Sequence, residues 1–139
     1  NIGEARVFEG LSAFTRFLDS LLKLKSPIFV YGIPRRAPEL MKTFIPHFHE
    51  RRIKLKIPML HIYNFNAQDR VKYLNTVPYT EAKYMVDKFE SKAHTLICGN
   101  QVNITLWIDP IKSIQIINEE IADSYREHFN IIWKHAKKV

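Results

Sequence analysis

The chain has 139 residues, the size of one ordinary domain. Its apolar fraction of 46% and aromatic fraction of 12% suffice for a core and exclude wholesale disorder, while four Gly and seven Pro exclude collagen-like and low-complexity designs. The single cysteine, Cys98, excludes an intrachain disulfide framework and a Cys-based zinc finger, and a net charge of +7 is a moderate balance for a nucleic-acid binder.

The first residue is Asn1 and not Met, which reads as a fragment or a processed product. The start, Ile2-Gly3-Glu4-Ala5-Arg6, is charged and unlike a signal peptide, and no apolar run approaches the roughly 20 residues a membrane helix needs. A single cytoplasmic domain over residues 1–139, with no membrane contact, is expected. The charge is concentrated: between Arg35 and Lys56, seven Lys or Arg stand against two acids, a net +5. Such a patch can meet phosphate, hold an anionic ligand, steer a charged partner, or simply be a solvated helix face.

In chain order, Arg6 to Glu9 is a short strand broken by Gly10. Leu11, Phe14, Phe17, Leu18, Leu21 and Leu22 recur at helical spacing, with Ser12 read as the N-cap. Ile28 to Tyr31 is a continuous apolar run, a buried strand that ends at Gly32 in a loop to Arg36. Pro38 suits the first turn of a helix whose stripe is Leu40, Met41, Phe44, Ile45 and Phe48, and Pro46 predicts a kink or break within it. Met59 to Tyr63 is a second buried strand, followed by a weak helix over Asp69 to Leu74.

The second half reads as strands at Glu81 to Val86, Thr95 to Cys98, Val102 to Ile108 and Ser113 to Ile117. Gly99-Asn100 makes a tight turn, and alternation in the third strand sets Val102, Ile104, Leu106 and Ile108 against Asn103, Thr105 and Trp107, a half-buried pattern. Asn118 caps a last helix lined by Ile121, Tyr125, Phe129, Ile132 and Trp133, with Glu119 and Glu120 where the dipole favours acids. The order predicts an α/β domain with a mixed β-sheet flanked by helices.

No Gly-rich phosphate loop and no nucleophile elbow are present. Cys98 reads as a small core hydrophobe. His47 and His49 point about 200° apart on a helix and do not chelate together, His61 reads as a satisfied core histidine, and His128 and His135 as surface residues. No metal or cofactor is expected.

The stretch from His94 to Ile104 resembles the second-half hairpin of the phospholipase D fold, whose motif is His-x-Lys-x4-Asp. His94 keeps its place, but Leu96 stands at the Lys position and Gln101 at the Asp position, and the downstream Gly-Ser is missing. That chemistry needs two His-bearing motifs, one histidine as nucleophile and one as general acid, with Lys to hold the anion.

Six blocks in register resemble the TrmB-like family of archaeal transcriptional regulators over nearly the whole chain. They are Ala5 to Gly10, Val30 to Gly32, Phe44 to Lys54, Phe89 to Ser91, Thr95 to Val102, and Ala122 to Phe129. The resemblance implies the family's C-terminal regulatory domain, phospholipase D-like in fold and without catalytic residues, behind an N-terminal winged helix that binds DNA and would precede Asn1. It implies a homodimer, no enzyme, and an effector it does not name. No sugar-binding residue is carried over, since the family's sugar sites use a further C-terminal region.

Ligands of open α/β sheets sit beyond the carboxyl ends of the strands. That rule selects Tyr31, Arg35 and Arg36 after the first buried strand, Asn64 after the second, and His94 with Asn103 on the hairpin. Arg35 and Arg36 are expected to meet an anionic group, with Tyr31 as a lid or wall. Two alternatives stay open: a phospholipase D-type phosphodiesterase using His94, and a nucleic-acid-binding module using Arg35 to Lys56.

Overall fold

The computed structural model describes residues 4–139. Seven strands form one mixed sheet in the order β1-β7-β6-β5-β2-β3-β4. They are β1 (Glu4–Glu9), β2 (Ile28–Ile33), β3 (Met59–Tyr63), β4 (Thr80–Tyr84), β5 (Ala93–Cys98), β6 (Gln101–Leu106) and β7 (Lys112–Ile117). β2, β3 and β4 run parallel to one another, and the remaining pairings are antiparallel. Helices α1 (Leu11–Leu21), α2 (Arg36–Leu40), α3 (Ile45–Lys54) and α4 (Gln68–Leu74) share one face, and α5 (Glu119–His135) covers β2, β5 and β6 on the other.

Strand alternation sends each half of the core to its own layer. Ile28, Val30, Met59, Leu96 and Cys98 turn toward Phe14, Leu18, Leu21 and Phe48 of α1 and α3, while Ile62, Ile97 and Val102 turn toward Phe129 and Ala122 of α5. This double cover corrects the half-buried reading of β6. Trp107, just past β6 on the face expected to be polar, is fully buried, and so are Asn103 and Thr105.

One helix start departs from expectation for a physical reason. α1 opens at Gly10, not Ser12: Gly10 sits at φ +96°, which L side chains rarely adopt, and its N–H donates to Ile111 O at 2.7 Å. Ser12 lies inside the helix and accepts from Arg16 at 2.8 Å. The expected break at Pro46 is real and separates α2 from α3, with Pro46 in the first turn of α3, where a missing N–H costs nothing. Asn118 caps α5 as expected, its Oδ1 accepting from Ile121 N at 2.9 Å.

Gly32 governs the end of β2. It has φ +75°, a bulge falls between Tyr31 and Ile33, and a Cβ there would stand 3.1 Å from Ala93 O. That close approach lets the segment entering β5 lie across the carboxyl ends of β2 and β3. Asn64 Nδ2 secures it by donating to Ser91 O at 2.9 Å, and Ser91 Oγ donates to Ala93 O at 2.6 Å. His94 is placed by this arrangement.

Candidate functional site

His94 opens β5 with its ring inside the α1 layer, 4% exposed. Phe14 lies 5.7 Å and Trp107 5.6 Å from it, centroid to centroid. Trp107 Nε1 donates to His94 Nδ1 at 3.0 Å. An indole nitrogen only donates, so Nδ1 carries the lone pair and the neutral ring keeps its proton on Nε2. Nε2 has no hydrogen-bond partner. Burial pushes the His94 pKa down to about 4, opposed in part by the neighbouring Asn103 amide.

Two more buried histidines have their tautomers fixed by their partners. His49 of α3, 8% exposed, accepts at Nδ1 from Arg52 Nε at 3.3 Å and Nη2 at 3.1 Å. A guanidinium only donates, so His49 also holds its proton on Nε2, which is likewise without a partner. Burial and the nearby Arg52 and Arg70 charges push its pKa down to about 3. His61 of β3 faces the Glu81 carbonyl at 3.3 Å through Nδ1, which must therefore be the protonated nitrogen; burial first, then His49 and Arg52, hold it well below the ordinary histidine range.

Arg52 is fully buried. It donates to Ile57 O and Tyr79 O at 2.8 Å each and to Thr80 Oγ1 at 2.5 Å, tying α3 to the loop before β4. Its burial, with no carboxylate in reach among the described residues, lowers its pKa to about 10. His49, His61 and His94, with Tyr63 and Arg70, line one cavity of about 40 Å³ whose other walls are apolar. That volume holds about one to three waters. Among the described residues no group of three His, Cys, Asp or Glu is placed to hold a metal ion. His49 and His94 each have Nδ1 engaged by a donor and carry the proton on Nε2, so neither has a free lone pair to offer one.

The six residues selected from the sequence do not converge. His94 and Asn103 share the α1 face, and Asn103 is buried, its Oδ1 accepting from Thr105 Oγ1 at 2.6 Å and its Nδ2 without a partner. Asn64 is buried at the end of β3 and occupied with Ser91. Tyr31 points to the opposite layer, its ring 6.2 Å from Phe129. Arg35 is held in a bidentate pair by Asp69 at 2.7 and 3.0 Å and donates to Asn66 O at 2.8 Å. Arg36 lies in a separate surface recess beside Gly10, Leu40 and Asp109.

The basic segment is likewise divided. Arg35 pairs with Asp69, Arg51 with Asp19 and Lys54 with Glu50, while Arg52 is inside the core. Sequence reasoning passed over His49, Arg52, Arg70, Tyr63 and Trp107 as site residues. A signal existed for two of them: His49 follows Ile45 by four positions and Arg52 follows Phe48 by four, so both extend the apolar stripe of α3.

At the phospholipase D-like positions, Leu96 is buried apolar wall and Gln101 accepts from Gln115 at 2.8 Å. Cys98 is fully buried, and burial pushes its thiol pKa up to about 11.

No protein-family model matches the chain, and no curated sequence matches it. Solved structures do. TrmBL2, an archaeal chromatin protein whose structure shows a novel mode of DNA binding, superposes with a TM-score of 0.70 at 16% identity, over 97% of this chain and 54% of that one. NucT from Helicobacter pylori gives 0.71 at 12% identity over 99% and 100% of the two chains. Nuc from Salmonella typhimurium, a phospholipase D family member, gives 0.67 at 14% identity over 99% of each. The chain thus has a phospholipase D-like fold, shared by NucT, by the phospholipase D family member Nuc and by an archaeal chromatin protein, and it spans about half the length of TrmBL2. No helix among the described residues is long and apolar enough to cross a membrane.

Proposed function

We propose that this chain is the regulatory domain of a TrmB-like transcriptional regulator, an effector-sensing and dimerising module without catalysis of its own. DNA is contacted through a winged-helix domain preceding Asn1, and the whole acts in the cytoplasm as a homodimer. One observation carries the reading: the only histidine at a phospholipase D-like position is a core residue. His94 is walled by Phe14 and Trp107, and its Nδ1 is occupied by an indole N–H. A nucleophile must come within about 3–3.5 Å of the reacting atom, and phosphoryl transfer needs cations poised on the equatorial oxygens. At this position the ring is buried between Phe14 and Trp107, and Leu96 stands where the lysine is expected. The likeness to TrmBL2 agrees with the reading, since the same fold occurs there in a DNA-binding protein.

Hydrolysis tests it. The domain and its His94→Ala variant are assayed with a chromogenic phosphodiester. The reading requires no turnover above buffer from either, and turnover that His94→Ala abolishes would replace it with the phosphodiesterase.

A further inference from the structure

We infer that the histidine-lined cavity, together with the groove that adjoins it, is a binding site for a short-chain carboxylate. The inference rests on the sensing role proposed above and names the chemical class sensed.

The first ground is an excess of donors. Trp107 and Arg52 can only donate, so His94 and His49 are both fixed with Nδ1 as acceptor and Nε2–H as a buried donor; that of His94 lies beside the Asn103 amide, while that of His49 has no partner. Buried polar hydrogens without acceptors are uncommon in folded proteins. That of His49, a residue lining both the cavity and the groove, points to an acceptor-bearing ligand.

The second ground is an excess of positive charge. Arg70, half-buried and lining both the cavity and the groove, has no carboxylate within ion-pair distance among the described residues. Arg70 reaches only Tyr63 Oη, at 3.4 Å, and the face of Tyr73. A partly buried cation without its anion carries part of its desolvation cost uncompensated. An anionic head group would supply both the missing acceptor and the missing charge.

The third ground is access. His49, Arg70 and Ile45 line the inner cavity and also an outer groove of about 350 Å³, whose further walls include Ile53, Tyr73 and Val77. The inner space suits a group of a few heavy atoms, and the groove suits a short apolar body. Its single acid, Glu50, faces Lys54. His61, with Nδ1–H turned to Glu81, presents its lone pair at Nε2, so a hydroxyl on the ligand would also find a partner.

The test is a titration of the protein with propionate, lactate and the neutral isostere propionamide, followed by long-range ¹⁵N–¹H NMR of the histidine rings. Propionate and lactate are expected to shift the His49 Nε2 signal saturably, with propionamide at least about tenfold weaker. Arg70→Gln is expected to weaken the carboxylates about tenfold while leaving the spectrum of the free protein folded. Absence of a saturable shift with either carboxylate up to about 100 mM, or equal binding of propionamide, would overturn the assignment and leave a water-filled cavity. Should Arg70→Gln not fold, the comparison with propionamide on the unaltered protein decides. Hydrolysis, not carboxylate binding, decides the non-catalytic reading, so the two can fail separately.

Discussion

Trp107 donates its indole N–H to His94 Nδ1 across the first core layer, at 3.0 Å. The bond joins the entry of β5 to the exit of β6 and makes a histidine at a phospholipase D-like position into a structural element. Trp107→Phe keeps the ring volume roughly but leaves Nδ1 buried and unpaired. A loss of about 1–3 kcal/mol is expected from such an orphaned group, read as a lower urea midpoint with an unchanged slope.

Arg52 is expected to tolerate no substitute. Its planar fork serves two carbonyls, a hydroxyl and an imidazole at once. Lysine retains the charge but cannot span that set, so Arg52→Lys should cost about 2 kcal/mol. Arg36→Ala, at an exposed position, should stay within about 0.5 kcal/mol of the parent. Equal midpoints for the two variants would show that the buried network carries no stability.

Stability should fall on mild acidification. His49 and His94 have folded pKa values of about 3 and about 4, both below the ordinary 6.5, and His61 is displaced the same way. The unfolded chain therefore binds protons that the folded chain refuses. The contribution is fully present above pH 6.5 and is lost as the pH falls toward 4, at a rate set by the difference in bound protons. The expected size is on the order of 3 kcal/mol each for His49 and His94. Melting temperature measured between pH 7.5 and about 4.5 should drop steadily, and a flat profile would place the rings in solvent.

Gly32→Ala should destabilise by about 1–3 kcal/mol. The φ of +75° disfavours any L side chain, and the new methyl would press on Ala93 O at 3.1 Å. Because Ala93 precedes His94, the histidine NMR signals should shift along with the midpoint.

The domain alone should show no steep, salt-dependent DNA binding. Ion pairs occupy Arg35, Arg51 and Lys54, and Arg52 is buried. Few cations of the Arg35 to Lys56 segment are left to release counterions. A gel shift that weakens steeply between low and moderate salt, and is lost on neutralising Arg36 and Lys42, would reinstate that segment as a nucleic-acid surface.

The legible parts of the fold were those with a local signal. The apolar runs at Ile28 and Met59, the Gly99-Asn100 turn, the break at Pro46 and the Asn118 cap each depend on a few neighbouring residues. What the sequence hid depends on contacts far along the chain. Arg35 finds Asp69 across 34 positions, and Arg52 finds Thr80 across 28. Tyr31 lies in a strand buried on both sides, where a continuous apolar run carries no alternation to show its face. Trp107 looked half-exposed because the pattern of β6 was polar on that side. The polar residues there satisfy one another, as Thr105 does with Asn103 and Ser113, under a helix the strand itself does not announce.

The state of the His94 ring is the most direct measure of the account, since the non-catalytic reading depends on its being a core residue. Followed by ¹⁵N NMR from pH 8 downward, Nδ1 should keep the chemical shift of an unprotonated nitrogen and Nε2 that of a protonated one, with no titration until near pH 4. A His94 that titrates near 6.5, as an exposed imidazole does, would put the ring within reach of substrate and contradict the account.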